Sequence, residues 1–179
     1  MANTKSSGAQ ATTTPNRALF TWYQTLMKMS DREVSFKFAN CIRRNLKLIT
    51  ERIGEIQEEL YKIEQSKENQ EYEKERIAIN EKYCSKDKDG NPILKPGNNP
   101  NDPSAQAYDI LDSKKEVYDK ELAELKIKYK KFFDKKTKAT ERYNKELDKE
   151  CTFKFATVDS RFCDGITANE IDILEGMIK

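Results

Sequence analysis

Ile42, Leu46, Ile49, Ile53, Ile56, Leu60 and Ile63 recur at alternating steps of four and three residues. That spacing puts them on one side of an α-helix. With Ile at every a position and Leu or Ile at d, it matches the heptad seam of a coiled coil. So regular a seam needs a helix laid along it, since a long row of aliphatic side chains is costly to leave in water. The other long helical pattern lies between residues 106 and 150. There Tyr108, Leu111, Tyr118, Leu122, Leu125, Tyr129, Phe132, Tyr143 and Leu147 fall at helical spacing, with breaks at Lys115 and Lys136. Residues 85–104 between the two patterns hold four of the five prolines, which excludes helix and predicts a turn. The expected fold class is mainly α: a long antiparallel coiled-coil helical hairpin, with a small α+β base formed by the N- and C-terminal segments.

The expected parts follow in order. Residues 1–16 are small and polar and read as a disordered tail, because they bury too little apolar surface to offset ordering. Residues 17–33 form an aromatic segment packing on the base or on a partner, 34–84 the first long helix, 85–105 the proline- and glycine-rich turn, and 106–150 the second long helix. Residues 151–179 supply a short strand and a terminal helix. Ser30 and Glu33 have the spacing of a capping box, and Val34, Phe38 and Ile42 share one helical side, which favours a helix start there. The alternation of Val34, Phe36 and Phe38 keeps a short strand open as the other reading. In the tail Phe153 and Phe155 alternate as in a strand, and Thr167 and Glu170 form a second capping box ahead of Ile171, Leu174, Met177 and Ile178. The run SFKFA at 35–39 is echoed by TFKFA at 152–156.

Charge and residue types narrow the chemistry. Lys and Arg (33) nearly cancel Asp and Glu (31), so any electrostatic function must come from local patches. The absence of histidine removes the commonest general base and zinc partner together. No glycine-rich phosphate loop, nucleophile elbow or metal-ligand spacing is present, so neither an enzyme nor a cofactor or metal site is expected. Asp87, Asp89 and Gly90 resemble the opening of a calcium loop, but Pro96 stands where such a loop needs a bidentate Glu, and a tight turn is expected instead. Cys41, Cys84, Cys151 and Cys163 show no Cys-x-x-Cys pair and are expected as free thiols, with a clip between Cys41 and Cys151 left open. No stretch reaches the length of a membrane span and the N-terminus lacks an apolar signal core, so a cytoplasmic protein without membrane contact is expected.

Two stretches are candidates for binding. Residues 18–29, ALFTWYQTLMKM, crowd large side chains into a short run, and Phe20, Trp22, Tyr23 and Leu26 are the candidate partner-binding residues. Residues 126–138 carry seven lysines interleaved with Tyr129, Phe132 and Phe133. Lys128, Lys130, Lys131 and Lys135 form the alternative, basic patch, suited to phosphates with bases stacked on the aromatics. A turn centred near residue 95 would set this stretch against residues 52–64, whose Glu55, Glu58, Glu59 and Glu64 would pair with it, which makes nucleic acid the weaker reading. The seam fades over 65–76, where Tyr72 is the only bulky apolar residue, and leaves Tyr118, Leu122 and Leu125 short of partners. The distal hairpin is therefore expected to be mobile or completed by a second copy in a homo-oligomer.

Three stretches together resemble a family of small bacteriophage coiled-coil proteins of unknown function: VSFKFANCIRRNL at 34–46, EKYCSKDKDGN at 81–91 and ITANEIDILEGMI at 166–178. The resemblance covers about residues 33–179, and the chain departs from it by its aromatic N-terminal extension and longer proline-rich turn. It implies a non-enzymatic accessory or virion-associated protein. Such a protein would act through protein–protein contacts in assembly or structure, in the host cytoplasm or incorporated in a virion, with phage structural proteins as partners. The alternative is a regulator that binds nucleic acid, or inhibits a host defence enzyme, through residues 126–138.

Overall fold

A computed structural model describes residues 10–96 and 106–179. In chain order the elements are β1 (Gln10–Pro15), α1 (Ala18–Ser30), α2 (Phe36–Glu64), α3 (Lys67–Tyr83), β2 (Leu94–Pro96), β3 (Gln106–Tyr108), α4 (Lys115–Lys128), α5 (Lys130–Asp148), β4 (Glu150–Phe155) and α6 (Ala168–Ile173). The protein is mainly helical, and its strands form two-stranded sheets, β1 with β4 and β2 with β3. It divides into two compact units: the described residues of Met1–Glu59 with Thr140–Lys179, and those of Leu60–Ala139. No helix among the described residues is long and apolar enough to cross a membrane.

In the first unit, part of the expected disordered tail is a strand. Residues 10–15 pair antiparallel with β4, Thr12 opposite Phe153, and the Thr13 and Thr152 hydroxyls lie 2.9 Å apart. Residues 1–9 of that expected tail lie outside the described residues. Composition misjudged 10–15 because three threonines are β-branched and suit a ladder once β4 offers its edge, which is a tertiary condition. Asn16, fully buried, then ties the chain to the end of α5. Its backbone amide donates to Lys149 O (2.9 Å) and its Nδ2 to Glu146 O (2.7 Å), satisfying carbonyls that a helix end leaves open.

The capping box expected at Ser30 does not form, because α1 ends there and the Ser30 hydroxyl donates to Met27 O at 2.7 Å. Ser35 starts α2 instead: its hydroxyl accepts from the Phe38 amide (3.3 Å) and donates to Phe162 O (2.8 Å). Residues 36–38 are thus the first turn of α2, as the helix reading expected and the strand reading did not, with the start moved from Ser30 to Ser35. The matched runs SFKFA and TFKFA end as a helix start and a strand, so the same pattern obeys different neighbours.

Ile42, Ile49 and Ile56 of the seam are buried, but not under one helix. Leu19, Leu26 and Met29 of α1, Phe153 and Phe155 of β4, and Val158, Leu174 and Met177 complete the same core. Heptad spacing reports which side of a helix is buried, and it is silent about what buries it. Close packing also explains a glycine: a Cβ on Gly176 would sit 2.4 Å from the Thr12 Oγ1 of β1.

The expected Thr167–Glu170 capping box is present, Thr167 accepting from the Glu170 amide and Glu170 from the Thr167 amide. The Glu170 carboxylate also takes two bonds from Arg32, at 2.7 and 3.1 Å. These bonds, Arg32 first and the Thr167 amide next, hold its carboxyl down from 4.5 to about 2. Folding therefore favours its ionised form, and the resulting stability is complete above the ordinary carboxylate range and disappears as pH falls through about 2. In thermal melts Glu170→Gln should lower Tm at pH 7 and give a shallower loss of Tm between pH 4.5 and 2 than the wild type. Identical slopes would show that the group contributes nothing to acid sensitivity.

In the second unit the single long helices expected over 34–84 and 106–150 are each interrupted. After Glu64 the chain leaves helix, and Ser66, in extended conformation, caps α3 by accepting from the Asn69 amide. The Asn69 side chain in turn donates to Glu64 O at 2.9 Å, closing the end of α2. A Ser placed three residues before Asn69 was the available signal. On the return side α4 ends at Lys128 and α5 begins at Lys130.

The second helical pattern begins at Lys115, not at 106, because residues 106–108 pair with 94–96 as a strand. Residues 97–105 of the expected turn lie outside the described residues. Asp87 shapes the Asp-Gly-Asn turn, its Oδ1 accepting from the Asp89 and Asn91 amides (2.9 and 2.8 Å), with Gly90 at φ +85°. Pairing of Leu94 with Tyr108 and Pro96 with Gln106 moves the fold-back beyond residue 95.

The register of the helices moves with it. Tyr83 meets Tyr118, Lys82 pairs with Glu121 (2.6 Å), and Lys128 pairs with Glu75 (2.6 Å), so α3 and α4 run side by side in opposite directions. Tyr118 and Leu125 are not short of partners as the fading seam implied: Tyr118 also donates to Asn80 Oδ1 at 3.0 Å, and Leu125 is buried. Tyr72 contacts Tyr129, Phe132 and Phe133, so aromatic rings do here what the aliphatic seam does earlier.

Candidate partner-binding surfaces

Among the described residues the most exposed large apolar side chain is Phe36, the first residue of α2, at 85%. It stands at the rim of a groove of about 570 Å³ in the first unit, between the start of α2 and the chain that follows β4. Three cations line this groove: Lys37 and Arg44 from α2 and Lys154 from β4. Residues 37 and 44 share a helical face seven positions apart, and the alternation of β4 sends Lys154 outward between buried Phe153 and Phe155. None of the three has an ion-pair partner among the described residues. Asp159, the one carboxylate in the lining, is held by Arg161 at 3.1 Å. Lys37 Nζ lies 4.1 Å over the Phe162 ring, which also carries the Arg161 guanidinium at 5.2 Å.

The floor of the groove is built rigidly. The buried Asn45 side chain accepts from the Ala156 amide (2.8 Å) and donates to Ala156 O (2.9 Å), locking the chain after β4 to α2. The Cys41 thiol donates to the same carbonyl at 3.1 Å. Burial, reinforced by Cys163, pushes that thiol up to about 11, which removes it as a nucleophile at neutral pH. The four cysteines are free. Cys163 is the thiol that acts on Cys41, whereas Cys151 sits beside Arg52, whose Nη2 approaches its Sγ at 3.6 Å, so the surroundings of Cys41 and Cys151 differ. Among the described residues no group of three or more Cys, Asp or Glu is placed to hold a metal ion.

Of the candidates in the aromatic segment, Leu26 is 1% exposed and packed in the core, and Trp22 lies T-shaped to Phe155 (4.9 Å) and Phe153 (6.5 Å). Phe20 and Tyr23 are half-buried. They line a separate, largely apolar groove of about 430 Å³ with Thr50, Ile53 and Gly54 of α2. A Cβ on Gly54 would meet no atom within 4 Å, so Gly54→Ala should raise stability by about 0.5–1 kcal/mol by denaturant unfolding. A loss of stability in the isolated protein would mean that this helix face is occupied.

The alternative basic patch lies in the second unit. Lys128 is paired with Glu75 and Lys130 with Asp134 (2.6 Å), while Lys131 and Lys135 are exposed. Lys128 and Tyr129 together hold the Glu75 carboxyl below its ordinary value. The carboxylate paired with Lys128 is Glu75, which lies outside the 52–64 stretch that a turn centred near residue 95 would set against it. Phe132 is buried, and Tyr129 and Phe133 set against Tyr72, so the rings expected to stack on bases are used in packing.

Sequence reasoning passed over Phe36, Lys37, Arg44 and Lys154. The available signal was the pair Arg43 and Arg44 on the polar side of the seam helix, beside a phenylalanine off the seam. Comparison of the chain with protein-family models, curated proteins and solved structures finds no match.

Proposed function

We propose that this chain is a non-enzymatic binding protein, of the accessory or virion-associated kind found in phages, that acts through protein–protein contacts in assembly or structure. The observation that carries the reading is Phe36, 85% exposed at the rim of a groove lined by three cations without ion-pair partners. A large aromatic on an ordered helix end, beside a groove with three cations that lack ion-pair partners, can act as the anchor that a partner buries. The shift of the Cys41 thiol away from reactivity and the lack of histidine support a binding role over catalysis. On this reading the long helices act as an antiparallel coiled-coil spacer or oligomerisation arm, in the host cytoplasm or within a particle.

The test is affinity capture from infected cells with light scattering on the eluted complexes. Three proteins are compared: the wild type, the double variant Phe36→Ser with Arg44→Glu, and the quadruple Lys→Glu variant at 128, 130, 131 and 135. Loss of a captured phage or host protein in the double variant alone supports the proposal. Loss in the quadruple variant alone, with binding that falls steeply with salt, would establish the regulator reading instead. Retention by both would overturn the groove as the binding surface.

A further inference from the structure

Resting on the groove reading above, we infer that its occupant is an acidic peptide segment of a partner protein, carrying a bulky apolar residue among its carboxylates. Charge complementarity is the first argument. Lys37, Arg44 and Lys154 face a common space without carboxylate partners among the described residues, and Asp159 is already engaged by Arg161. Arg44 presents a planar fork suited to a carboxylate, and the two lysines add point charges around it. The second argument is the apolar part of the site. Phe36 at the rim offers an aromatic face to a hydrophobic side chain of the segment.

The same features disfavour a nucleic acid here. Phe162, the other ring of the groove, already has two cations against it at 4.1 and 5.2 Å, which leaves Phe36 as the one free platform where single-strand sites use successive rings. Asn45 and Ala156 satisfy each other, so the floor is preformed and binding needs no rearrangement of α2.

The experiment is fluorescence anisotropy with the full chain and four labelled probes: an octapeptide of Glu and Asp with one central Trp, the same peptide with Trp replaced by Ser, its Lys-for-Glu counterpart, and a single-stranded oligonucleotide of equal charge. The expected result is saturable binding of the Trp-containing acidic peptide, weakened at least 10-fold by Arg44→Glu and by Phe36→Ser, and by removal of the peptide's Trp. Binding should be unchanged in the quadruple Lys→Glu variant of the second unit. Both groove substitutions are at exposed side chains, and matching thermal melts would show that the fold is kept. Tighter binding of the oligonucleotide through the same residues, binding insensitive to Arg44→Glu, or no binding of the acidic peptide would each overturn the inference. If the acidic peptide fails while capture from infected cells still depends on Phe36 and Arg44, the protein-binding reading stands and only this partner chemistry falls.

Discussion

Phe155→Ala is expected to remove about 3–5 kcal/mol of stability, the range for truncating a buried phenylalanine. Phe155 is wholly buried, stacks on Phe153 at 5.6 Å and lies T-shaped to Trp22 at 4.9 Å. It joins β4, α1 and the seam residues Ile42, Ile49 and Ile56 in one core, so the cavity it leaves cannot be filled by a single neighbour moving in. The check is a circular-dichroism melt, with a fall in Tm of more than about 10 °C expected for a unit of this size. A fall of only about 2 °C would show that β4 is peripheral, and with it the strand pairing that orders residues 10–15.

Tyr72→Ala is the second large effect, expected at about 3 kcal/mol and confined to the second unit. Tyr72 is 8% exposed and contacts three aromatic rings, with centroids 4.9 to 6.4 Å away. The apolar cluster of Ile63, Phe132 and Ala139 is separate from the core around Phe155, so opening of the second unit should leave the amides of α1 and β4 protected. Hydrogen exchange on the dilute wild-type protein should show clear protection in α3 and α4, lost in the variant. Low protection there in the wild type would restore the expectation of a mobile distal segment, and protection that rises with protein concentration would point to completion by a second copy.

Several features were legible in the residues because they depend on near neighbours in the chain. The seam side of α2, the Thr167–Glu170 capping box, the alternation in β4 and the Asp87 turn each require only residues a few positions apart. The features misread require knowledge of what comes alongside. Residues 10–15 are ordered by the edge of β4. The side chain of Leu26 and the ring of Trp22 pack into a core formed with the C-terminal segment, which makes them poor contact residues despite their crowding. The pairing of Lys128 with Glu75 follows from the strand pairing of 94–96 with 106–108, which no helical periodicity encodes.

The candidate groove belongs to the second kind. Phe36 and Arg44 lie on one helix, and their exposure is a matter of which side the seam buries. Lys154 is brought to them by the packing of β4 on that helix, where Asn45 also holds the Ala156 backbone. By itself the sequence determined a predominantly helical chain with a long one-sided apolar helix, a proline-rich reversal and a capped C-terminal helix, since periodicity, caps and prolines act over a few residues. Only the tertiary structure decided that the seam is covered by α1 and β4 as much as by any helix along it, and that three cations share one groove. Burial and charge juxtaposition depend on contacts between residues distant in the chain, and one chain read alone carries no record of those distances.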